Sequence, residues 1–361
     1  MSRAAALLAS VADRVVLAAP GNASAPAFEQ IAAAGFRLER VGIQAEDYAL
    51  VDRLAQDFPP AGLPDVLADA DRQVKPIEGV LGGRARGYMW READNRTRHW
   101  FPQGICGSAD SSEDGLVHGR ELHCVSWYSK RGEGARLSFV HAGPGAPSGY
   151  RHVLLVRPDA GGGFAPVRVH AGGIAWVGRF VYVADTWHGI RVFDTERILR
   201  VPDRHLEAAR RYRYVLPQVG AYESTGDRLS FSFLSLDRSA PATLVAGEYR
   251  RSAGARIVQW PIDLAGGLLS AQQASSAYRS PVDRLQGATI VGGELLASSS
   301  RRGGRLYAGR PGERARRYVW WPFLPEDVYF STRTAELYSV TEDPGRRMVF
   351  GVPLARLGIT L

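Results

Sequence analysis

An all-β fold, a five-bladed β-propeller with a short helical N-terminal extension and a ring closed by an N-terminal strand, is what this chain predicts. Three observations carry the expectation. Five segments rich in Arg, aromatics and Val echo one another along the chain: Gly87–Arg91, Tyr150–Leu154, Tyr212–Leu216, Arg256–Trp260 and Arg317–Trp321. Each precedes a strand marked by Gly, Gln, His or an acid, and recurrent multi-stranded units of roughly 40 to 50 residues are the pattern of propeller blades. Between the echoes, apolar and polar residues alternate and stop at Gly and Asp turns, most clearly in Phe180–Asp185 and Gly189–Asp194, as half-buried antiparallel strands require. Finally, a hydrophobic content of 45% with 40 Gly and 21 Pro supplies both core and turns.

Residues 1–85 lack the echo and read as a helical extension. Met1–Arg14 opens like a secretion signal and Asn22–Ala25 resembles a cleavage site, but Asp13 and Arg14 interrupt the apolar run. Leu7, Leu8, Val11 and Val15 fall at helical spacing, so an amphipathic helix is the reading. Pro26–Ala34 stopped by Gly35, and a stripe of Leu50, Val51, Leu54 and Phe58 ahead of Pro59 and Pro60, give two further helices.

Residues 86–361 form the propeller. Blade 1 takes Gln103–Cys106, Leu122–Trp127, Ala135–Val140 and Arg151–Leu155. Blade 2 takes His170–Val177 as its inner strand, then Phe180–Asp185 and Gly189–Asp194. Blade 3 begins at Val219–Ser224 and continues through Leu229–Leu236 and Thr243–Tyr249. Blade 4 takes Gln286–Val291, Leu295–Ser299 and Gly304–Ala308, and blade 5 takes Asp327–Ser331, Leu337–Thr341 and Met348–Val352. Blade 5 lacks a fourth strand while Gly87–Arg91 is unassigned, so that segment is expected to complete it and remove an exposed sheet edge.

The formal charge of +8 comes almost wholly from Arg, since Lys75 and Lys130 are the only lysines. The arginines are scattered and form no basic stripe, so no nucleic-acid partner is expected. No apolar run approaches bilayer length, so no membrane partner is expected either, and the chain is read as a monomer. Cys106 and Cys124 fall opposite one another on two strands of one hairpin. Free thiols and a cytoplasmic location are favoured, with a disulfide and secretion as the alternative.

Across residues 87–354 the chain resembles a group of largely uncharacterised actinobacterial propeller proteins. The segments that carry the likeness are Trp100–Ile105, His170–Ile174 with Tyr182–Thr186, and Thr341–Arg346. The Gln-Gly and Pro-acid starts of inner strands are also similar to those of lactonase-like and strictosidine-synthase-like propellers. That second likeness supplies no complete set of calcium ligands.

In a propeller, the connections into the inner strands and those between second and third strands emerge on one face around the channel mouth. Mapped onto this chain, they gather His99, Gln103, His170, Gln286, Glu326 and Asp327 with Asp185, Trp187, His188, Arg301 and Glu342. Acid–base work needs one group poised to give a proton and another to accept it, and His170, Glu326 and Glu342 are the candidates. Gln103, Asp185, Trp187, His188, Gln286, Arg301 and Asp327 are assigned to ligand binding, the amides suiting hydroxyl groups and Trp187 a stacked ring. The competing reading of the acids is turn capping. No spacing points to a metal, a redox cofactor, a phosphate loop or a Ser nucleophile, so no cofactor is expected. The expected function is that of a hydrolase, lyase or cyclase acting on a sugar or specialised metabolite. The alternative is a non-catalytic propeller that binds a glycan or protein through its loop face.

Overall fold

The structure, a computed structural model, describes residues 24–43, 45–143 and 149–360. The predicted helix at Met1–Arg14 lies outside these residues. From residue 85 onward the chain builds consecutive antiparallel runs of four strands. The first comprises Trp100–Gly107, Leu122–Ser129, Ala135–His141 and Gly149–Pro158. The second comprises Ile174–Val177, Phe180–Asp185, Gly189–Asp194 and Tyr214–Gly226. Phe233–Asp237, Thr243–Gly247, Arg256–Asp263 and Ser276–Arg279 form the third. Leu285–Val291, Glu294–Ser299, Arg305–Gly309 and Arg314–Tyr318 form the fourth. The last joins Pro325–Ser331, Glu336–Thr341 and Met348–Pro353 to Ala85–Met89, whose Gly87 sits opposite Phe350, so an N-terminal strand completes the final run as expected.

The first strands of the runs neighbour one another in cyclic order. A Cβ on Gly104 would meet the backbone of Gly173 at 2.8 Å, and one on Gly173 would meet the Leu234 amide at 1.9 Å. Glycine is required at both places because backbone touches backbone there. Ser235 donates to the Ala288 carbonyl at 2.7 Å, Gly287 abuts Asp327, and the Asp327 carboxylate reaches back to the Ile105 amide at 3.4 Å. The core lies between the faces of successive runs. Val177, Tyr182 and Val192 pack on Leu234, Leu244 and Trp260, for example, and Val245 and Ile257 on Ala288, Leu295 and Tyr307. The fold is an all-β propeller.

The segment 24–79 is helical only in part: the helix expected from Leu50, Val51 and Leu54 forms as Ala45–Leu54, but the one expected over Pro26–Ala34 does not, and more of the segment pairs as strand than winds as helix. Ser24–Ala27 pairs with Arg314–Tyr318, Glu29–Ile31 with Ser276–Arg279, and Phe36–Gly42 with Tyr214–Gly226. Helices Ala45–Leu54 and Leu63–Ala68 follow; then Arg72–Gln73 pairs with Gly149–Pro158 and Lys75–Gly79 with Ala85–Met89. The chain thus travels around the outside and adds one strand to the edge of every run in turn. The Ala-rich stretch at Pro26–Ala34 favours a helix locally, but unpaired edge amides and carbonyls recruit it as strand, so tertiary pairing overrides propensity. Phe36 and Leu38 are buried while Arg37 and Glu39 are exposed, the alternation of an edge strand with one face on the core.

Two further boundaries differ from expectation. Val219–Ser224 does not open the third run; it is the second half of Tyr214–Gly226, pairing with Gly189–Asp194, so every strand of the third run moves one place along the chain. His170 does not begin an inner strand. That strand starts at Ile174, and His170 stands in the loop that leads into it.

Cys106 and Cys124 face each other across the first hairpin, both fully buried and unbonded.

Candidate functional site

Residues in the left-handed backbone region, rare for side chains other than glycine, precede three of the first strands: Ala171 (φ 53°), Arg284 (φ 53°) and Leu324 (φ 47°). Each sharp turn delivers the chain to the inner ring and places the residues around it at one end of the ring. There Gln103 donates to the Glu342 carboxylate at 2.9 Å, and the Gln286 amide lies 3.4 Å from Glu326. Glu326 is 3% exposed, and burial, then the Glu342 charge, then Asp327 push its carboxyl well above the usual range. Burial also raises Glu342, opposed by the Lys130 ammonium and by the Gln103 hydrogen bond. Glu326 is the more deeply buried of the two, so its charged form is disfavoured more strongly, first by burial and then by the Glu342 charge.

Tyr128 connects this pair to a second group of residues. Burial, Glu342 and Glu326 together push its hydroxyl up to about 12, and its ring lies 4.3 Å from that of His170. Both rings line a cleft of ≈ 370 Å³ between the first and second runs, which also takes in Arg168, Asp185, Trp187, His188 and Arg191. Crowding around the His170 ring and then the Lys130 charge hold its pKa below 6.5, although its edge is open to solvent, so the imidazole is uncharged at neutral pH. Asp185 is held by Arg191 through Nε at 2.8 Å and Nη2 at 2.6 Å, and by His188 at 3.0 Å. Trp187, 70% exposed, stands at the lip.

Eight of the ten residues given a catalytic or binding role from the sequence thus fall into two adjoining groups: Gln103, Gln286, Glu326 and Glu342 around the acids, and His170, Asp185, Trp187 and His188 in the cleft. Two stand apart. Asp327 points into the ring interior, where one oxygen accepts from the Ile105 and Ile174 amides at 3.4 and 3.3 Å and the other has no partner among the described residues. It ties inner strands together and faces away from the mouth, a geometry that the sequence could not distinguish from that of its neighbour Glu326. Arg301 is engaged by Asp283 at 3.4 Å. His99 lies at the entrance to the first run, its carbonyl accepting from the Lys130 amide at 2.8 Å.

Sequence reasoning missed Tyr128, Lys130, Arg168, Arg191 and Arg347. The Arg347 guanidinium is buried behind Glu342, donating to its carbonyl at 2.9 Å and lying 4.6 Å from the Phe101 ring, whose ring centroid is 3.6 Å from the Lys130 ammonium. The one available signal was the rarity of lysine: a chain that uses Arg almost everywhere places one of its two lysines at this mouth.

Among the described residues no group of three or more His, Cys, Asp or Glu is arranged to hold a metal ion, and no helix is long and apolar enough to cross a membrane.

No protein-family model matches the chain, and no curated protein does. Among solved structures, it is similar to a gluconolactonase of Xanthomonas campestris, with 14% identity and a TM-score of 0.36 over 79% of this chain and 86% of that one. It is also similar to the β-propeller domain of Myceliophteria thermophila Cps50 (Swd1), with 11% identity and a TM-score of 0.38 over 72% of this chain and 98% of that one.

Proposed function

We propose that the protein is a small-molecule enzyme without a redox cofactor, a hydrolase, lyase or cyclase that acts on a sugar or specialised metabolite by acid–base catalysis at the ring mouth. The observation that carries the reading is the Glu326–Glu342 pair: two carboxyls of unequal burial, each with a glutamine amide beside it, the more buried one raised further by burial and then by the charge of the other. In this reading Glu326 gives its proton to the leaving oxygen while Glu342 takes one from water or a substrate hydroxyl. Water supplies the balance in hydrolysis, and each carboxyl ends in the state its partner held before. His170, uncharged at neutral pH, accepts a proton or hydrogen bond from the ligand on the cleft side, and Gln103 and Gln286 orient its hydroxyls.

The same reading counts five blades, supported by the cyclic neighbours among first strands and by the outer strand that 24–79 adds to each run. The parallel pairing of Leu154–Val156 with Val215–Pro217, which merges two runs into one hydrogen-bonded sheet, is then a contact between neighbouring blades. Residues 24–85 serve as a strap on the propeller of 86–361, and the protein acts as a cytoplasmic monomer. The likeness to uncharacterised actinobacterial and lactonase-like propellers belongs to this proposal as well.

Turnover of a panel of sugar lactones and aryl glycosides tests the reading. Glu326→Gln and Glu342→Gln are each expected to cut kcat by about 10² to 10⁴-fold while the protein still folds and melts cooperatively. Undiminished turnover in Glu326→Gln overturns it. The exposed Trp187 favours the second reading, a glycan-binding propeller; saturable glycan binding without turnover of any panel member would establish that instead.

A further inference from the structure

We infer that the cleft between the first and second runs receives an anionic group, so that the ligand is a hydroxyl-bearing small molecule carrying a carboxylate or a phosphate. The inference deepens the reading of Glu326 and Glu342 as the reacting end of the site and rests on it for which end of the ligand reacts. Among the described residues the only acid lining the cleft, Asp185, is already committed to Arg191 and His188. Arg168, in the same lining, is exposed and has no ion-pair partner among the described residues.

Lys130 stands next to the cleft, its ammonium on the face of Phe101 and without a carboxylate within ion-pair distance among the described residues. It follows Ser129 of the cleft wall directly, and the Phe101 ring that it covers also meets the Arg347 guanidinium bonded to the Glu342 carbonyl, so Lys130 stands between the two groups of the site. A neutral ligand closing over Arg168 and Lys130 would strip water from two cations and give nothing back, whereas an anion offsets that cost. The ≈ 370 Å³ of space is at the small end of the range for ligand pockets, enough for a sugar-sized molecule. Trp187 at the lip offers a flat apolar face to the C–H side of such a ring.

Calorimetric titration of the full chain with D-glucuronate, D-glucose 6-phosphate and D-glucose tests the inference, with a heparin fragment as the polymeric comparison. At least one of the two anionic sugars should bind about tenfold more tightly than glucose, and Arg168→Ala and Lys130→Ala should each remove most of that preference. The preference should also shrink as salt is raised from about 50 to about 300 mM. Equal affinity for glucose, unchanged affinity in both variants, no saturable binding of either anion below about 20 mM, or binding of heparin alone would each overturn it. Glu326→Gln separates the two readings. Anion binding that persists while turnover falls supports both; anion binding with undiminished turnover removes the acid-pair mechanism only; and loss of turnover in a protein that never preferred anions removes this inference only.

Discussion

Replacing Glu326 by Gln should change how stability depends on pH, and the sign follows from burial. In the unfolded chain this carboxyl titrates near its ordinary 4.5, whereas in the folded ring burial and the Glu342 charge hold the proton to well above that. Below the unfolded value both states carry the proton and nothing is lost. Above it the unfolded chain has released a proton that the folded ring still binds, so stability falls as pH rises until the folded value is passed. The slope for one such group is about 1.36 kcal/mol per pH unit, because a single proton separates the two states. Over each pH unit above about 5 that lies below the folded value, the wild type therefore gives up about 1.36 kcal/mol that the variant keeps. At about 2.1 cal/mol/K of unfolding entropy per residue, a chain of this length converts that to roughly 2 °C in Tm per pH unit. The side-chain amide of the Glu326→Gln variant still offers an oxygen to Gln286, so the neutral network is preserved and the comparison isolates the proton. Chemical and thermal denaturation of both proteins across this range is the assay. A gap between the two that stays constant with pH would refute the reasoning, because it would mean that Glu326 is ionised in the folded state.

Two other outcomes are expected. Cys106 and Cys124 should resist alkylation in the native protein and react once it is unfolded, and a reducing agent should leave Tm unchanged. Recovery of a linked peptide pair by mass spectrometry would contradict the free, buried thiols. Deleting residues 1–79 should uncover the outer edge of every run, so that the truncated chain aggregates or loses cooperative melting; a soluble truncation with a sharp transition would show that the strap is dispensable.

Much of the ring was legible because antiparallel strands advertise themselves locally. Phe180–Asp185 and Gly189–Asp194 are short apolar runs that end at turn formers, so their positions are legible locally although both faces are buried and not the one face expected, and Cys106 opposite Cys124 followed from the hairpin between them. The final pairing of Ala85–Met89 with Met348–Pro353 was legible by elimination, since one run lacked a strand and one strand lacked a run. The third run was misplaced because Tyr214–Gly226 is twice the usual strand length, and a long strand has the same local pattern as two short ones.

Local pattern was enough for most strands beyond residue 85 and for the closing pair. Tertiary structure alone decided which partner each polar residue meets. Glu326 and Asp327 are adjacent in sequence and both acidic, yet the pleat sends one to the mouth beside Gln286 and the other into the ring, onto the Ile105 and Ile174 amides. Pro26–Ala34 carries a helical composition, yet it became strand because the open edges of the third and fourth runs offered it hydrogen bonds that its own residues could not supply. Local patterning fixes which way a side chain alternates; only the closed ring fixes what waits on the other side.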